Sequence, residues 1–328
     1  MRKISLVALF LFAATFVSLQ ASVPKSRSLE FDYEVIVKDI PPSISDLKIW
    51  MPCLAQTPYQ IVEDVVVDAA TPATITYDKK YNNKIFYYSF EPPKDSSIKI
   101  SAHYKVKRLE YSNKPPKDFS LIKKNPDASW MKYLSPDKFV TVSPQIKELA
   151  VKVTEGKNTT VDKARAIYDY VFTNVSYDKT IPGWGNGDTE RVCRVKAGNC
   201  TDFHSLFISL ARASGIPAKF VIGTSIPKEK EGQMKSYHCW AEFYDGQFGW
   251  IPVDISEAWK DKTKHDYYFG AISEDRLEFT HGRDIILEPS SNSEPLNYFI
   301  YPYAEADGKV FNNVDVSFKF KEKFHGEI

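Results

Sequence analysis

No other stretch of the chain constrains its fold as tightly as residues 198–217. Phe203, Leu206, Phe207 and Leu210 recur there at the spacing of one helical face. Asn199 is a cap residue, Asp202 falls in the first turn, Gly215 suits a left-handed closing position, and Pro217 stops further helix. One buried helix therefore starts near Cys200. Two β-rich runs follow, 237–244 and 250–254, separated by Asp245-Gly246-Gln247-Phe248-Gly249, which reads as a hairpin. A helix packed on a β-meander predicts an α+β fold.

The helix start also carries chemistry. A cysteine there meets unpaired backbone N–H groups and the positive end of the helix dipole, which favour thiolate over thiol. The same groups suit a developing oxyanion. If the hairpin loop is the three residues Asp245 to Gln247, Tyr244 pairs with Phe248, His238 falls opposite Asp254, and the two side chains share a face. A four-residue loop shifts the register by one and separates them unless a bulge restores it, so shared chemistry requires an odd loop or a bulge near Pro252. In that arrangement Cys200 is the nucleophile, His238 takes its proton and returns it to the leaving amine, and Asp254 fixes the imidazole tautomer.

These residues resemble the transglutaminase-like superfamily, with a papain-like core. The resemblance rests on Gly198-Asn199-Cys200-Thr201-Asp202-Phe203, on Gly215-Ile216-Pro217-Ala218-Lys219-Phe220-Val221, on His238-Cys239-Trp240-Ala241-Glu242-Phe243 and on Gly249-Trp250-Ile251-Pro252-Val253-Asp254. It covers roughly residues 140 to 275 and implies the order nucleophile, base, orienter for Cys200, His238 and Asp254. It also implies an oxyanion contact upstream of the cysteine, for which Trp184 is the nearest residue. Thr201 and Trp240 join it as oxyanion or substrate candidates. The resemblance also implies an exported bacterial type, in which an N-terminal β domain before such a core is a familiar arrangement. The resemblance extends to peptidase-like hydrolases and to cross-linking transglutaminases, and hydrolysis of a carboxamide or peptide bond through a Cys200 thioester is the first expectation. Amine transfer is its alternative, and a secreted binding module with a vestigial site is a third reading from another class.

The remaining sequence divides accordingly. Arg2 and Lys3 precede an apolar run to Val17 and a small-residue cleavage point, so residues 1–21 read as a signal peptide and place the protein in the periplasm or outside the cell. Loss of that segment removes two positive charges and moves the formal net charge from +1 to −1. Neither nucleic acid nor membrane insertion is expected, and the partner is a peptide or protein substrate of a monomer. Residues 22–135 alternate in the β manner, as in an antiparallel β-sandwich, ending in a Pro/Lys-rich linker. Residues 136–328 form the catalytic part. In it Ser143-Pro144 and Thr160 open two amphipathic helices that pack on the Cys200 helix, and residues 180–197 read as an irregular loop. Segments 267–270, 297–303 and 314–320 suggest strands that complete the core sheet or run back along it.

With Cys200 assigned to catalysis, Cys53, Cys193 and Cys239 allow at most one bridge; Cys193 with Cys239 is the preferred pair, and the alternative leaves Cys239 a buried strand thiol and Cys193 an incidental loop residue. His204 lies one turn beyond Cys200, which raises a metal site. No CxxC pair supports one, and adjacent strand residues His238 and Cys239 point to opposite faces. No metal or cofactor is expected, and His204 reads as a supporting histidine. Trp184, Trp240, Trp250 and Trp259 cluster around the site as core or as walls of a peptide groove.

Overall fold

The computed structural model of the protein describes residues 24–114, 129–290 and 294–323. The expected signal peptide at 1–21 and most of the linker lie outside these residues. In chain order the first part contains β1 (Ser26–Val37), β2 (Leu47–Pro52), β3 (Gln60–Ala69), β4 (Thr74–Tyr77), β5 (Lys84–Phe90), β6 (Ile98–Leu109) and β7 (Tyr111–Ser112). After the linker come α1 (Pro144–Val153), α2 (Thr160–Asn174), β8 (Ser176–Tyr177), α3 (Thr189–Val195), β9 (Ala197–Gly198), α4 (Cys200–Ala213) and β10 (Ala218–Ser225). Next are β11 (Glu231–Met234), β12 (Tyr237–Asp245), β13 (Gly249–Val253), α5 (Ile255–Lys260), β14 (Ala271–Ile272) and β15 (Arg276–His281). The chain closes with β16 (Tyr303–Ala306), β17 (Lys309–Val310) and β18 (Val314–Glu322).

The N-terminal part is a pair of five-stranded antiparallel sheets, ordered β11-β18-β1-β6-β3 and β17-β16-β2-β5-β4. Their inner faces follow from alternation. Leu29, Phe31, Tyr33, Val35 and Val37 of β1 are all buried, and they share a core with Ile49, Met51 and Tyr88 of the facing sheet. The last strands depart from the sequence reading. They do not extend the core sheet that carries His238: β18 pairs with β1, setting Phe318 opposite Tyr33 and Phe320 opposite Phe31, and β16 pairs with β2. Phe318 and Phe320 project to one face, and that face meets the aromatic wall of β1, with ring centroids 4.7 Å apart for Tyr33 and Phe318. The 267–270 segment forms no strand of its own, Phe269 making a single bridge to Val253.

The part after the linker is built on a four-stranded antiparallel sheet, β13-β12-β10-β15, on which α4 lies. Helix α4 is buried from Cys200 to Arg212, because the sheet covers one side and α1, α2 and α3 cover the others. Phe207 meets Phe243 of β12 at 6.2 Å, and truncating such a buried ring to alanine costs about 3–5 kcal/mol. Ser143 caps α1 with proline in its first turn, as the sequence implies, while Thr159 rather than Thr160 caps α2. Residues 180–197 are not wholly irregular. Asp188 accepts the N–H groups of Glu190 and Arg191 and starts α3, a seven-residue helix too short to leave a clear period.

Several ties lock the halves together, two of them close to the core sheet. β7 pairs with β14, and Gln60 clasps the backbone of β15, its Nε2 donating to the Glu278 carbonyl at 2.7 Å and its Oε1 accepting the Glu278 N–H at 2.8 Å. Within the sheet, Gly223 of β10 runs so close to β15 that a Cβ would stand 1.7 Å from the Leu277 carbonyl oxygen.

Candidate active site

Cys200 is the first residue of α4, and the local sequence builds that corner. Asn199 is the N-cap, its side chain taking the Thr201 N–H at 2.9 Å, and Asp202 closes a reciprocal capping box on the Asn199 N–H at 2.9 Å. The Asp202 carboxylate also accepts the N–H groups of Gly185 at 2.7 Å and Gly187 at 3.2 Å. One side chain thus fixes both the helix start and the loop that carries Trp184. Gly187 has φ +64°, and a Cβ there would strike Ser205 Oγ at 2.2 Å, so the loop approaches α4 as closely as only glycine allows.

His238 and Asp254 come from the hairpin. Its loop has three residues, Gly246 to Phe248, with Asp245 opposite Gly249 and Tyr244 opposite Trp250. The odd count agrees with the sequence reasoning, but the register is displaced by two residues from the expected Tyr244–Phe248 pair. The cause is local: Asp245 Oδ1 accepts the N–H groups of Gln247 at 2.8 Å and Phe248 at 3.1 Å, and Gly249 takes φ +76°, which closes the turn one step later on each strand. A shift of two preserves the face, so His238 Nε2 and Asp254 Oδ2 lie 2.7 Å apart, fully inside the protein.

Asp254 ends β13 and caps α5. Its Oδ1 accepts the Ser256 hydroxyl and the Glu257 N–H, each at 3.1 Å. Arg276 Nη2 stands 3.7 Å from Asp254 Oδ2 and 3.0 Å from Glu257 Oε2. Burial opposes charge on His238, yet the Asp254 carboxylate overrides it and the imidazole is pushed up to about 9. Burial likewise opposes ionisation of Asp254, and His238 first, with the Arg276 charge, holds it well below the usual carboxylate range. The Cys200 thiol is held well below its ordinary value, by hydrogen bonding from the Cys239 side chain first and, against the cost of burial, by the hydrogen bond and charge of His238. With Nε2 engaged by Asp254, it is Nδ1 of His238 that is left for Cys200.

The other sequence candidates fare differently. Trp184 is 39% exposed beside Lys179, whose Nζ stands 5.1 Å above its ring. Thr201 cannot offer its N–H to an oxyanion, since Asn199 already occupies it, and its side chain is buried. Trp240 is not a groove residue: it is fully buried with Val221 and Ile272, because residues 238, 240 and 242 face away from α4 and this one lands under β14. The Cys193–Cys239 bridge does not form. All four cysteines are free; Cys239 lies inside against the first turn of α4, with Sγ 3.7 Å from Thr201 Oγ1, while Cys193 is half-buried on α3.

Three neighbours were not identified from the sequence. Tyr237 accepts the Asn199 Nδ2 at 2.8 Å through its hydroxyl and sits 3.1 Å from Thr201 Oγ1. As a strand aromatic it is indistinguishable from packing in sequence. Arg276 left no signal, because its proximity to Asp254 depends on strand order alone. Glu257 had one, since Asp254-Ile255-Ser256-Glu257 has the pattern of a capping box.

Comparison with known proteins agrees with this architecture. Residues 147–255 match the transglutaminase-like superfamily core. Over 217 residues the chain is 32% identical to an uncharacterised protein of Haemophilus influenzae, covering 56% of this chain and 59% of that one. Over 152 residues it is 27% identical to the uncharacterised protein YebA of Bacillus subtilis, covering 40% of this chain and 20% of YebA. The aligned segments thus span three-fifths or less of these relatives. The crystal structure of a candidate cysteine protease from Cytophaga hutchinsonii superposes with a TM-score of 0.60 at 15% identity, over 91% of this chain and 98% of that one, a likeness of fold. The part of this chain that holds Cys200, His238 and Asp254 is a transglutaminase-like core of papain-like fold, set behind an N-terminal antiparallel β domain.

Proposed function

We propose that the protein is an exported cysteine-dependent acyl-transfer enzyme, a peptidase or amidase in which Cys200, His238 and Asp254 act together. The observation that carries this reading is the buried 2.7 Å pair of His238 with Asp254, set beside a cysteine at the head of a capped helix. A carboxylate taken out of water is retained only where it is paired, and here its partner is a histidine poised beside a thiol. The Cys200 thiolate attacks the carboxamide carbon. The resulting oxyanion forms at the positive end of α4, with Trp184 and the Tyr237 hydroxyl as candidate contacts. His238 then protonates the departing amine, and the neutral imidazole draws a proton from the water that resolves the thioester. Asp254 holds the ring throughout and stabilises its charged form. The substrate is a peptide or protein, consistent with export to the periplasm or the exterior.

The test compares two products from the same reduced protein on a set of glutamine-containing peptides, with Cys200→Ala as control. Release of free amine or ammonia without incorporation of a labelled primary amine supports the hydrolase. Incorporation at a comparable rate assigns a transglutaminase, and absence of both, with Cys200 unreactive, leaves a binding module.

A further inference from the structure

The reaction above uses one of two neighbouring thiols. Cys239 follows His238 on β12, points to the opposite face, and meets the first turn of α4. Its Sγ lies 3.7 Å from Thr201 Oγ1 and 3.8 Å from His204 Nδ1, which belong to the residues one and four positions after Cys200. Cys200, at the tip of the helix, is reached from both faces of the strand, and Cys239, seated on the same first turn, is near enough for each thiol to shift the ionisation of the other. Cys53, in the β-sandwich core, and Cys193, on α3, take no part.

The proton positions follow from the donors. The Ile255 N–H donates to His204 Nε2 at 3.0 Å. A backbone amide can only donate, so Nε2 is bare and the ring, kept neutral by burial, carries its proton on Nδ1. Nδ1–H therefore faces the Cys200 carbonyl, which takes a hydrogen bond from the ring, with Cys239 Sγ 3.8 Å away. The Cys239 S–H is turned away from His204, toward Cys200 and Thr201. A buried cysteine that merely fills space needs no such partners.

We propose that Cys239 is a resolving thiol: when a hydroperoxide oxidises Cys200, the two cysteines close an intramolecular disulfide that protects the nucleophile and silences it until a dithiol reduces the bond. The proposal rests on the reading of Cys200 as an activated thiolate. In the first step the Cys200 thiolate attacks the terminal peroxide oxygen, the O–O bond breaks, and the alcohol or water leaves with the proton of the His238 imidazolium, giving a sulfenic acid. In the second, Cys239 sulfur attacks Cys200 sulfur, the S–O bond breaks, and the hydroxyl departs as water with the Cys239 proton. Two thiols lose two electrons and the peroxide gains them. While Cys200 is a thiolate, burial first and that neighbouring charge next hold the proton on Cys239. Formation of the sulfenic acid removes the charge and leaves His238 neutral as a base, so the second step is released by the first.

The experiment treats the reduced full chain with a small excess of hydrogen peroxide, alkylates under denaturing conditions and maps the cysteines by mass spectrometry, in the wild type, Cys239→Ser and Cys239→Ala. The expected wild-type product is two hydrogens lighter, joins the Cys200 and Cys239 peptides, loses about tenfold or more of its Cys200 alkylation at mildly acid pH and regains it with dithiothreitol. In both variants the same dose carries Cys200 to the sulfinic acid, two oxygens heavier, and dithiothreitol restores nothing. Sulfinic Cys200 accumulating in the wild type as fast as in the variants, or a bridge to Cys193 instead, overturns the proposal. The wild-type map decides the matter even where a variant fails to fold. Alkylation of the untreated protein separates the two readings: slow labelling rising only near the ordinary thiol range sinks the proposed function, whereas rapid labelling without the bridge sinks only this inference.

Discussion

Replacing Asp254 with asparagine isolates the electrostatic contribution of the pair, because asparagine keeps the shape of the site. An amide oxygen can still accept the Glu257 N–H and the Ser256 hydroxyl, and asparagine caps helices as well as aspartate, so α5 should stay in place. What is lost is the charge. The interval between the ordinary histidine value of 6.5 and the about 9 reached by His238 corresponds to about 3 kcal/mol of preference for the imidazolium. Without the carboxylate, burial and the Arg276 charge outweigh the hydrogen bond to Cys200, the ring is neutral at pH 6, and Cys200 loses its cationic partner. Its remaining donor is Cys239. An interaction of about 3 kcal/mol corresponds to about a hundredfold, so iodoacetamide labelling of Cys200 at pH 6, followed by mass spectrometry, should slow by about two orders of magnitude in Asp254→Asn. Circular dichroism confirms that the variant is folded. A folded variant that labels within about threefold of the wild type would show that Asp254 does not hold the imidazolium, and the electrostatic account of the site would be wrong.

Two further outcomes follow from the structure. His238 is raised in the fold, so its contribution to stability is complete below its ordinary value of 6.5 and fades as pH climbs through about 9; Cys200 is lowered, so its contribution grows with pH up to its ordinary 9.0, and the two nearly cancel in the wild type. Removing the thiol with Cys200→Ser should uncover the falling limb, and urea denaturation should show that variant losing up to about 3 kcal/mol more than the wild type between pH 6.5 and 9.5; equal slopes contradict the assigned ion pair. Gly223→Ala places a methyl group 1.7 Å from the Leu277 carbonyl oxygen, which a backbone cannot yield without breaking the β10–β15 ladder. A destabilisation above about 3 kcal/mol is expected, read as a fall in Tm of about 6 °C or more, and a fall under about 2 °C would mean that the strands separate at little cost.

Much of the site could be read before any coordinates, because its parts are local. Asn199 and Asp202 encode the start of α4, Gly215 and Pro217 its end, and apolar residues at helical spacing its burial, all within one short segment. The hairpin was legible for the same reason, and strand parity is robust: any odd loop puts His238 and Asp254 on one face, even with the register moved by two. The loop residue that closes the turn was not legible, since Asp245 supports more than one closure by the same side-chain bonds.

Residue type and spacing thus determined by themselves the helix that presents Cys200, the face shared by His238 and Asp254, and the α+β class. Only the tertiary structure decided the rest. The order of strands brings Arg276 to Asp254, a contact between residues 22 apart in sequence for which neither carries a local mark. It sends β18 back to β1, so that Leu29 lies opposite Glu322. The packing of β12 against α4 takes Cys239 away from Cys193, seats it beside Cys200 and buries Trp240 on the far face. Backbone preference acts over a few residues and is written in their chemistry, whereas the choice of a distant partner is settled by which buried faces fit together, and that comparison exists only once the whole chain has folded.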